Sequence, residues 1–174
     1  MLRRFVLLIG SWLVSVTVAI AGIPQPYAPI VVMPVGTPQR YEFDLTAALA
    51  RAQRERKRLY VYLGADNCPF CRKYEAFLLG NATELAPHFS KDYLVVDLRS
   101  TLAAQASRLY IRIGDTSLPY AEFQRSINDE RARALVYPSV WLLDASARPL
   151  MQMPAGAGTF ETVPEQLEIL RLEN

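Results

Sequence analysis

The chain has 174 residues, of which 51% are hydrophobic and 21% are charged. This composition is typical of a folded globular protein and excludes a disordered one, and the length suits a single domain. The formal net charge of +2 is too small to indicate a nucleic-acid-binding protein.

The first 21 residues have the pattern of a secretory signal peptide. Arg3 and Arg4 give a positive start, Phe5–Val18 is an apolar stretch, and a small-x-small site ends at Ala21. We expect cleavage between Ala21 and Gly22, and therefore a periplasmic or secreted protein. The alternative is an uncleaved anchor, but the apolar stretch is short against the ~20 residues that a spanning helix needs.

Removal of this segment would leave a formally neutral chain. The 19 Lys and Arg residues, less Arg3 and Arg4, become 17, which equals the 17 Asp and Glu residues. The positive balance of the full sequence therefore belongs to the targeting segment. We expect no nucleic-acid partner.

Residues 22–40 contain five prolines, which remove backbone donors and favour extended conformations. The sequence therefore predicts a proline-rich arm or linker. Ile30–Met33 has the composition of an edge strand, but we do not predict one there.

Hydrophobic periodicity predicts a helix, a strand and two further helical segments before a second strand. Asp44 is the expected N-cap of the first helix. The continuous apolar character of the second strand suits a buried parallel strand. The predicted elements are a helix over Leu45–Lys57, a strand over Leu59–Leu63, a loop over Gly64–Asn67, helices over Pro69–Leu79 and Glu84–Ser90, and a strand over Tyr93–Leu98.

The sequence of the second half of the chain predicts further strands and helices. A short strand, a helix capped near Ser117 and Pro119, a hairpin joined by Asp144–Arg148 and a final helix are expected. These elements cover Leu109–Ile113, Tyr120–Leu135, Ser139–Leu143, Pro149–Met153 and Pro164–Leu172.

Both cysteines lie in the tetrapeptide Cys68-Pro69-Phe70-Cys71, at the predicted start of a helix. Unpaired N–H groups and the helix dipole favour an anion there, so we expect a lowered pKa at Cys68, making it the nucleophile, with Cys71 as the resolving thiol. The alternatives are a structural disulfide, two buried thiols or half of a zinc site. A zinc site needs two more Cys or His ligands, and the chain offers only His88. We expect no metal, and a surface or packing role for His88.

The order of these elements, with CxxC after the first strand and Val136-Tyr137-Pro138-Ser139 before the hairpin, resembles the thioredoxin family. The resemblance covers roughly 43–172. It implies an α/β, thioredoxin-like fold with a mixed central sheet flanked by helices on both faces. The corresponding domain would be 41–174, with an insertion within about 100–135.

The resemblance also implies site residues. Pro138 would follow a cis peptide bond and face the cysteines, and Tyr137 would offer backbone groups to an extended substrate segment. Gly156 is similar to a small residue that lines the same groove. Pro69 and Phe70 flank the thiols and tune their chemistry.

The sequence departs from cytoplasmic thioredoxins around the motif. Asn67 stands where those proteins have a tryptophan, and Tyr62 stands where they have a buried carboxylate that accepts the proton of the resolving thiol. Asp66 or Glu75 could replace that carboxylate in part, but we expect a loop cap and a solvated helix residue. Phe70 stands where strong exported oxidants carry a histidine, which favours reduction over disulfide donation.

The expected function is therefore that of an exported thiol:disulfide oxidoreductase, more inclined to reduction, acting on disulfides of envelope proteins. A membrane protein would supply its electrons, and it would use no cofactor other than its own disulfide. We expect a monomer. The alternatives are a disulfide-donating oxidase and a non-catalytic thioredoxin-like binding or assembly module.

Overall fold

The computed structural model describes residues 22–128, 135–152 and 161–171 and has a mixed α/β architecture. Its larger sheet has five strands in the order β1-β5-β4-β8-β9. β5 pairs in parallel with both β1 and β4, whereas β8 is antiparallel to β4 and to β9. The strands are β1 (Ile30–Val32), β4 (Arg58–Asp66), β5 (Tyr93–Thr101), β8 (Ser139–Leu143) and β9 (Pro149–Gln152).

A second sheet of four strands, in the order β2-β3-β6-β7, accompanies the first. It consists of β2 (Val35–Thr37), β3 (Arg40–Asp44), β6 (Leu109–Ile113) and β7 (Thr116–Pro119). The expectation of one central sheet was therefore incomplete. The proline-rich arm supplies β1 and β2, and the strand predicted over Leu109–Ile113 pairs with β3 and β7 instead of joining the larger sheet.

Helices cover both faces of the larger sheet, as expected. Successive side chains of its strands point to opposite faces, so an apolar cluster lies on each face and packs against helices. Leu59, Val61 and Leu63 pack with buried residues of α1 and α4, and Tyr60 and Tyr62 pack with α2, α3 and α5. The helices are α1 (Thr46–Glu55), α2 (Pro69–Gly80), α3 (Ala82–Asp92), α4 (Tyr120–Ser126) and α5 (Val163–Arg171).

The start of α1 differs slightly from the prediction. Leu45 occupies the N-cap position, and the helix begins at Thr46. The Asp44 carboxylate still accepts a hydrogen bond from the Thr46 N–H at 2.8 Å. Asp44 thus accepts from one of the unpaired N–H groups of the first turn, although it precedes the N-cap residue by one position.

The predicted loop over Gly64–Asn67 is wrong. Gly64, Ala65 and Asp66 continue β4 and pair with residues 99–101 of β5, so the connection to α2 is reduced to Asn67 and Cys68. Asn67 has a φ of 59°, a left-handed conformation that asparagine tolerates better than most residues. Long parallel pairing therefore brings the chain directly to the cysteines.

The remaining predictions hold with shifted boundaries. The hairpin and the helix after it are present, and Leu170 of α5 is buried. The helix expected over Tyr120–Leu135 ends at Ser126, and Ser117 lies in β7 instead of capping the helix. Among residues 22–128, 135–152 and 161–171, no helix is both long enough and apolar enough to cross a membrane. The expected signal peptide lies outside these residues.

Candidate active site

Cys68 and Cys71 form a disulfide at the N-terminus of α2, with their Cα atoms 5.2 Å apart. Cys68 is the N-cap residue and Pro69 occupies the first helical position, where its missing N–H is not needed. The Cys71 N–H donates to the Cys68 Sγ at 3.1 Å. This donor, together with the helix dipole, would stabilise a thiolate at Cys68 after reduction.

Both sulfur-bearing residues are buried: Cys68 is 2% exposed and Cys71 is fully enclosed. They form a small cluster with Ala65, and Tyr137 packs against it. Phe70, by contrast, is 52% exposed. A partner that reaches the Cys68 sulfur must therefore move part of this cover, and Phe70 lies at the surface next to that point.

Tyr137 and Pro138 lie just before β8, and the peptide bond between them is cis, as the resemblance implies. Pro138 is buried. The Tyr137 hydroxyl donates to Ser100 Oγ at 2.7 Å, which ties this segment to the end of β5. Burial raises the pKa of Tyr137 above its ordinary value. The structure thus brings Tyr137 to the disulfide, whereas the role of both residues in a substrate groove stays a prediction.

Gly156, the third residue expected in this groove, lies outside the described residues. The same is true of part of the segment expected as an insertion. Both expectations stay predictions. His88 lies on α3, which packs against β5 and α5.

Glu75 is buried, so the expectation of a solvated helix residue was wrong. It is 8% exposed and follows Cys71 by one helical turn on α2. Tyr62 donates a hydrogen bond to Glu75 Oε1 at 2.9 Å, and Arg72 forms an ion pair with the same carboxylate at 3.1 Å. Burial raises the pKa of Glu75, although Tyr62 and Arg72 lower it in part. A Cβ at Gly64 would lie 2.6 Å from the Tyr62 ring, so this glycine leaves room for the tyrosine.

Asp66 is the last residue of β4 and is exposed, so it is not part of a loop. It shares the lining of a small cavity with Glu75 and Arg72. The cavity lies where the end of β4 meets the first turns of α2. Charged side chains therefore cluster next to the motif, at a place where the sequence predicted only a loop.

Asp97 was not recognised from the sequence. It lies in β5, is fully buried, and lines the same cavity. Its Oδ2 accepts hydrogen bonds from the Ile23 N–H at 3.1 Å and from Arg99 Nε at 3.0 Å. Burial raises the pKa of Asp97, with Arg99 opposing that effect. The sequence does contain a signal for this residue, because Asp97 is the one acid inside the apolar run Tyr93–Leu98. An acid buried in such a strand is unfavourable unless other groups pair with it, so its presence indicates a special site.

No protein-family model matches this chain, and no curated protein matches it. Within the described part of the chain, no three His, Cys, Asp or Glu residues are grouped so that they could hold a metal ion. The chemistry of the site therefore has to be inferred from its own residues.

Proposed function

We propose that the protein is an exported thiol:disulfide oxidoreductase of the thioredoxin-like type. The observation that carries the proposal is the Cys68–Cys71 disulfide at the N-terminus of α2, with the Cys71 N–H directed at the Cys68 sulfur. The strand order β1-β5-β4-β8-β9, with three parallel strands followed by an antiparallel hairpin, supports the family resemblance. Cleavage before Gly22 and release from the membrane belong to the same proposal.

In the reducing direction, the Cys68 thiolate attacks one sulfur of a substrate disulfide. A bond forms between Cys68 and that sulfur, and the other substrate sulfur leaves as a thiolate. The Cys71 thiol then loses its proton and attacks Cys68 Sγ, which releases the second substrate thiolate and closes the Cys68–Cys71 disulfide. Two electrons pass to the substrate, and a dithiol of a membrane protein returns them.

The direction of electron flow depends on the stability of the reduced dithiol form relative to the disulfide form. A fold that strongly stabilises its thiolate makes a good oxidant. Phe70 offers no charge or hydrogen bond to Cys68 from its position, and it is largely exposed. We therefore favour reduction over disulfide donation, with envelope proteins as substrates.

Trapping of the mixed disulfide tests this function. A Cys71→Ser variant retains the nucleophile but cannot resolve, so substrate proteins should remain covalently attached to Cys68 and be released by a reductant. A Cys68→Ser/Cys71→Ser variant is the matched control and should trap nothing. Equal recovery of partners from both variants would rule out the redox role.

The same cells also report the direction of electron flow. Alkylation of the wild-type protein in intact cells should find Cys68 and Cys71 mostly as thiols if the protein is a reductase. Loss of the membrane donor would shift them to the disulfide. Predominantly oxidised cysteines in cells with an intact donor would instead identify a disulfide donor.

One observation favours a second candidate, a thioredoxin-like binding or assembly module. Both cysteines are almost fully covered, as expected of a disulfide with a structural role. In such a module the cysteines take no part in partner binding, so Cys68→Ala, provided that it folds, would leave partner binding and cell phenotype intact. The trapping experiment separates the two candidates, because a module of this kind forms no mixed disulfide.

A further inference from the structure

The cavity beside the cysteines contains two buried acids from different elements. Glu75 comes from α2 and Asp97 from β5, and the charge of Asp97 helps to raise the pKa of Glu75 after the larger effect of burial. Asp97 is fully buried, yet its Oδ1 has no hydrogen-bond partner among the described residues. A buried carboxylate oxygen without a donor is unfavourable, because it has lost its contacts with water and gained no hydrogen bond in exchange.

Gly22 lies directly on these two acids. Its backbone N–H helps to lower the pKa of Glu75 against the larger effect of burial, and the next N–H, that of Ile23, donates to Asp97 Oδ2. A Cβ at Gly22 would lie 2.4 Å from Asp97 Oδ2 and 2.5 Å from Arg99 Nη2, and its φ is 134°. Only glycine fits at this position.

The residues that follow hold Gly22 in place. Ile23 is 3% exposed and packs in the apolar cluster of α2 and α3. The Tyr27 hydroxyl donates to the Leu78 carbonyl at 2.8 Å, and burial raises the pKa of Tyr27 to about 12. The start of the arm is therefore a fixed part of the fold and holds Gly22 next to Glu75 and Asp97.

Charged side chains surround this point. Three acids line the cavity, Asp66 of β4, Glu75 and Asp97, against the two guanidinium groups of Arg72 and Arg99. The hydroxyl of Tyr62, which also lines it, stays neutral because burial strongly raises its pKa. Asp66 is exposed to solvent, so the buried acids that a further donor could serve are Glu75 and Asp97.

We propose that this cavity receives the N-terminus of the processed chain, with the α-ammonium of Gly22 bound between Glu75 and Asp97. A signal endopeptidase would hydrolyse the Ala21–Gly22 bond with one water, leaving a carboxylate on Ala21 and the ammonium on Gly22. The ammonium has three donors where the peptide had one, so it can bind the Glu75 carboxylate and also supply a hydrogen bond to Asp97 Oδ1. This inference rests on the proposed export and cleavage.

The first test is the identity of the N-terminus. The full gene should be expressed with export, and the mass of the purified protein should correspond to a chain that begins at Gly22. A mature chain that begins at any other residue would overturn the inference. It would not affect the redox proposal, which the Cys71→Ser trap tests independently.

The second test removes the charge without changing the sequence. The processed protein is unfolded, acetylated at the α-amine near pH 6.5, where lysines react slowly, and refolded. Acetylation should lower the folding equilibrium constant at pH 7 by about tenfold or more, because it removes a buried charge pair. In Asp97→Asn the same acetylation should lower it by a smaller factor than in the wild-type protein, because only the contact with Glu75 remains to be lost.

The third test follows the amine itself and serves if Asp97→Asn does not fold. Acylation of the Gly22 amine in the folded wild-type protein should be at least about tenfold slower than in urea and should titrate at higher pH than in the unfolded chain. Glu75→Gln should move that titration back toward the unfolded value. An amine that titrates identically in the folded and unfolded proteins, or an acetylated protein that is equally stable, would refute the site.

Discussion

Glu75 is a candidate for a role in the second half of the proposed exchange reaction. It lies four residues after Cys71 on α2, and residues at this spacing share one face of a helix. Both side chains are buried, and the Tyr62 hydroxyl donates to the Glu75 carboxylate. A carboxylate with a raised pKa is a better proton acceptor for a thiol than an ordinary one. We therefore expect Glu75 to accept the proton that Cys71 loses.

Glu75→Gln should slow resolution of the mixed disulfide by about tenfold or more, because general acid–base catalysis contributes factors of this size or larger. Attack by Cys68 should change much less. Stopped-flow measurement of both half-reactions with a small disulfide substrate distinguishes them. Glu84→Gln, an exposed acid in the first turn of α3, is the matched control. An equal slowing of both steps in Glu75→Gln would contradict this assignment.

The raised pKa of Glu75 also predicts how stability depends on pH while Gly22 remains peptide-linked or acetylated. Because its folded-state pKa lies above the unfolded value, the stability that this group contributes is present below about pH 4 and is lost as pH rises through the folded-state pKa. The urea midpoint of the wild-type protein should therefore fall relative to that of Glu75→Gln as pH rises. A constant difference between the two midpoints would contradict this prediction.

The residues of the site differ in how far the sequence reveals them. The cysteines and the Tyr137–Pro138 pair could be predicted because short motifs carry them. The burial of Glu75 could not, since Arg72 and Lys73 beside it suggest a solvated helix face. Its cover comes from distant segments, among them the start of the arm at Gly22. Burial of a charge depends on contacts distant in sequence, such as those of Gly22 and Asp97.

Helix α2 is held to the sheet by polar contacts as well as by apolar packing. The Tyr74 hydroxyl forms hydrogen bonds with the Tyr60 hydroxyl and with Gln166 Oε1 of α5. All three residues are buried. A single hydroxyl thus joins β4, α2 and α5 behind the cysteines.

Tyr74→Phe should destabilise the protein by about 1–3 kcal/mol, because it leaves two buried polar groups without this partner. Urea denaturation followed by circular dichroism measures the change. Tyr110→Phe, at a half-buried position on β6, is the matched control and should change stability much less. Equal stabilities for Tyr74→Phe and the wild-type protein would show that water replaces the lost contacts.

Hydrophobic periodicity predicted the strands and helices whose formation depends mainly on local sequence. The apolar runs of β4 and β5 and the amphipathic stripes of α1 and α2 were placed correctly, apart from their ends. The polar extension Gly64–Asp66 looks like a loop because its strand character comes from pairing with β5. The long helix expected after Pro119 was too long for the same reason: its continuation depends on contacts that local propensity does not contain.

The second sheet joins segments from distant parts of the chain. Glu42 of β3 forms ion pairs with Arg40 at 3.2 Å and with Arg112 of β6 at 2.7 Å, and it also forms a hydrogen bond with Ser117 of β7. The bond from Ser117, followed by those from Arg112 and Arg40, lowers the pKa of Glu42. Glu42 is therefore the side chain that connects three of the four strands.

Glu42→Gln should lower the urea midpoint at pH 7, because it weakens two charged contacts and removes the advantage of an ionised acid. A lowered folded-state pKa contributes stability above the unfolded value that is lost as pH falls through the folded-state pKa. The difference from the wild-type protein should therefore shrink below about pH 4. Asp115→Asn, in the exposed turn between β6 and β7, is the control. A difference that persists unchanged at pH 3 would contradict the electrostatic explanation.

The whole molecule was less predictable than its parts. The sequence indicates an α/β chain with two parallel strands and a hairpin, but the division of nine described strands into two sheets follows from which edges meet in space. Prolines in the arm argued against regular structure. Short strands nevertheless form there, because Pro29, Pro34 and Pro38 lie just outside β1 and β2 and leave the backbone donors of both strands intact.

Trp141 gives this architecture an optical reporter. It lies in β8 with its ring 5.3 Å from that of Phe123 in α4, and it is 2% exposed. The chain has two tryptophans, and the other one, Trp12, lies in the segment expected to be removed. In the processed protein, emission excited at the red edge of the absorption band would come from one indole alone. Its spectrum would then record the packing of α4 on the sheet as a single-site signal, without any added label.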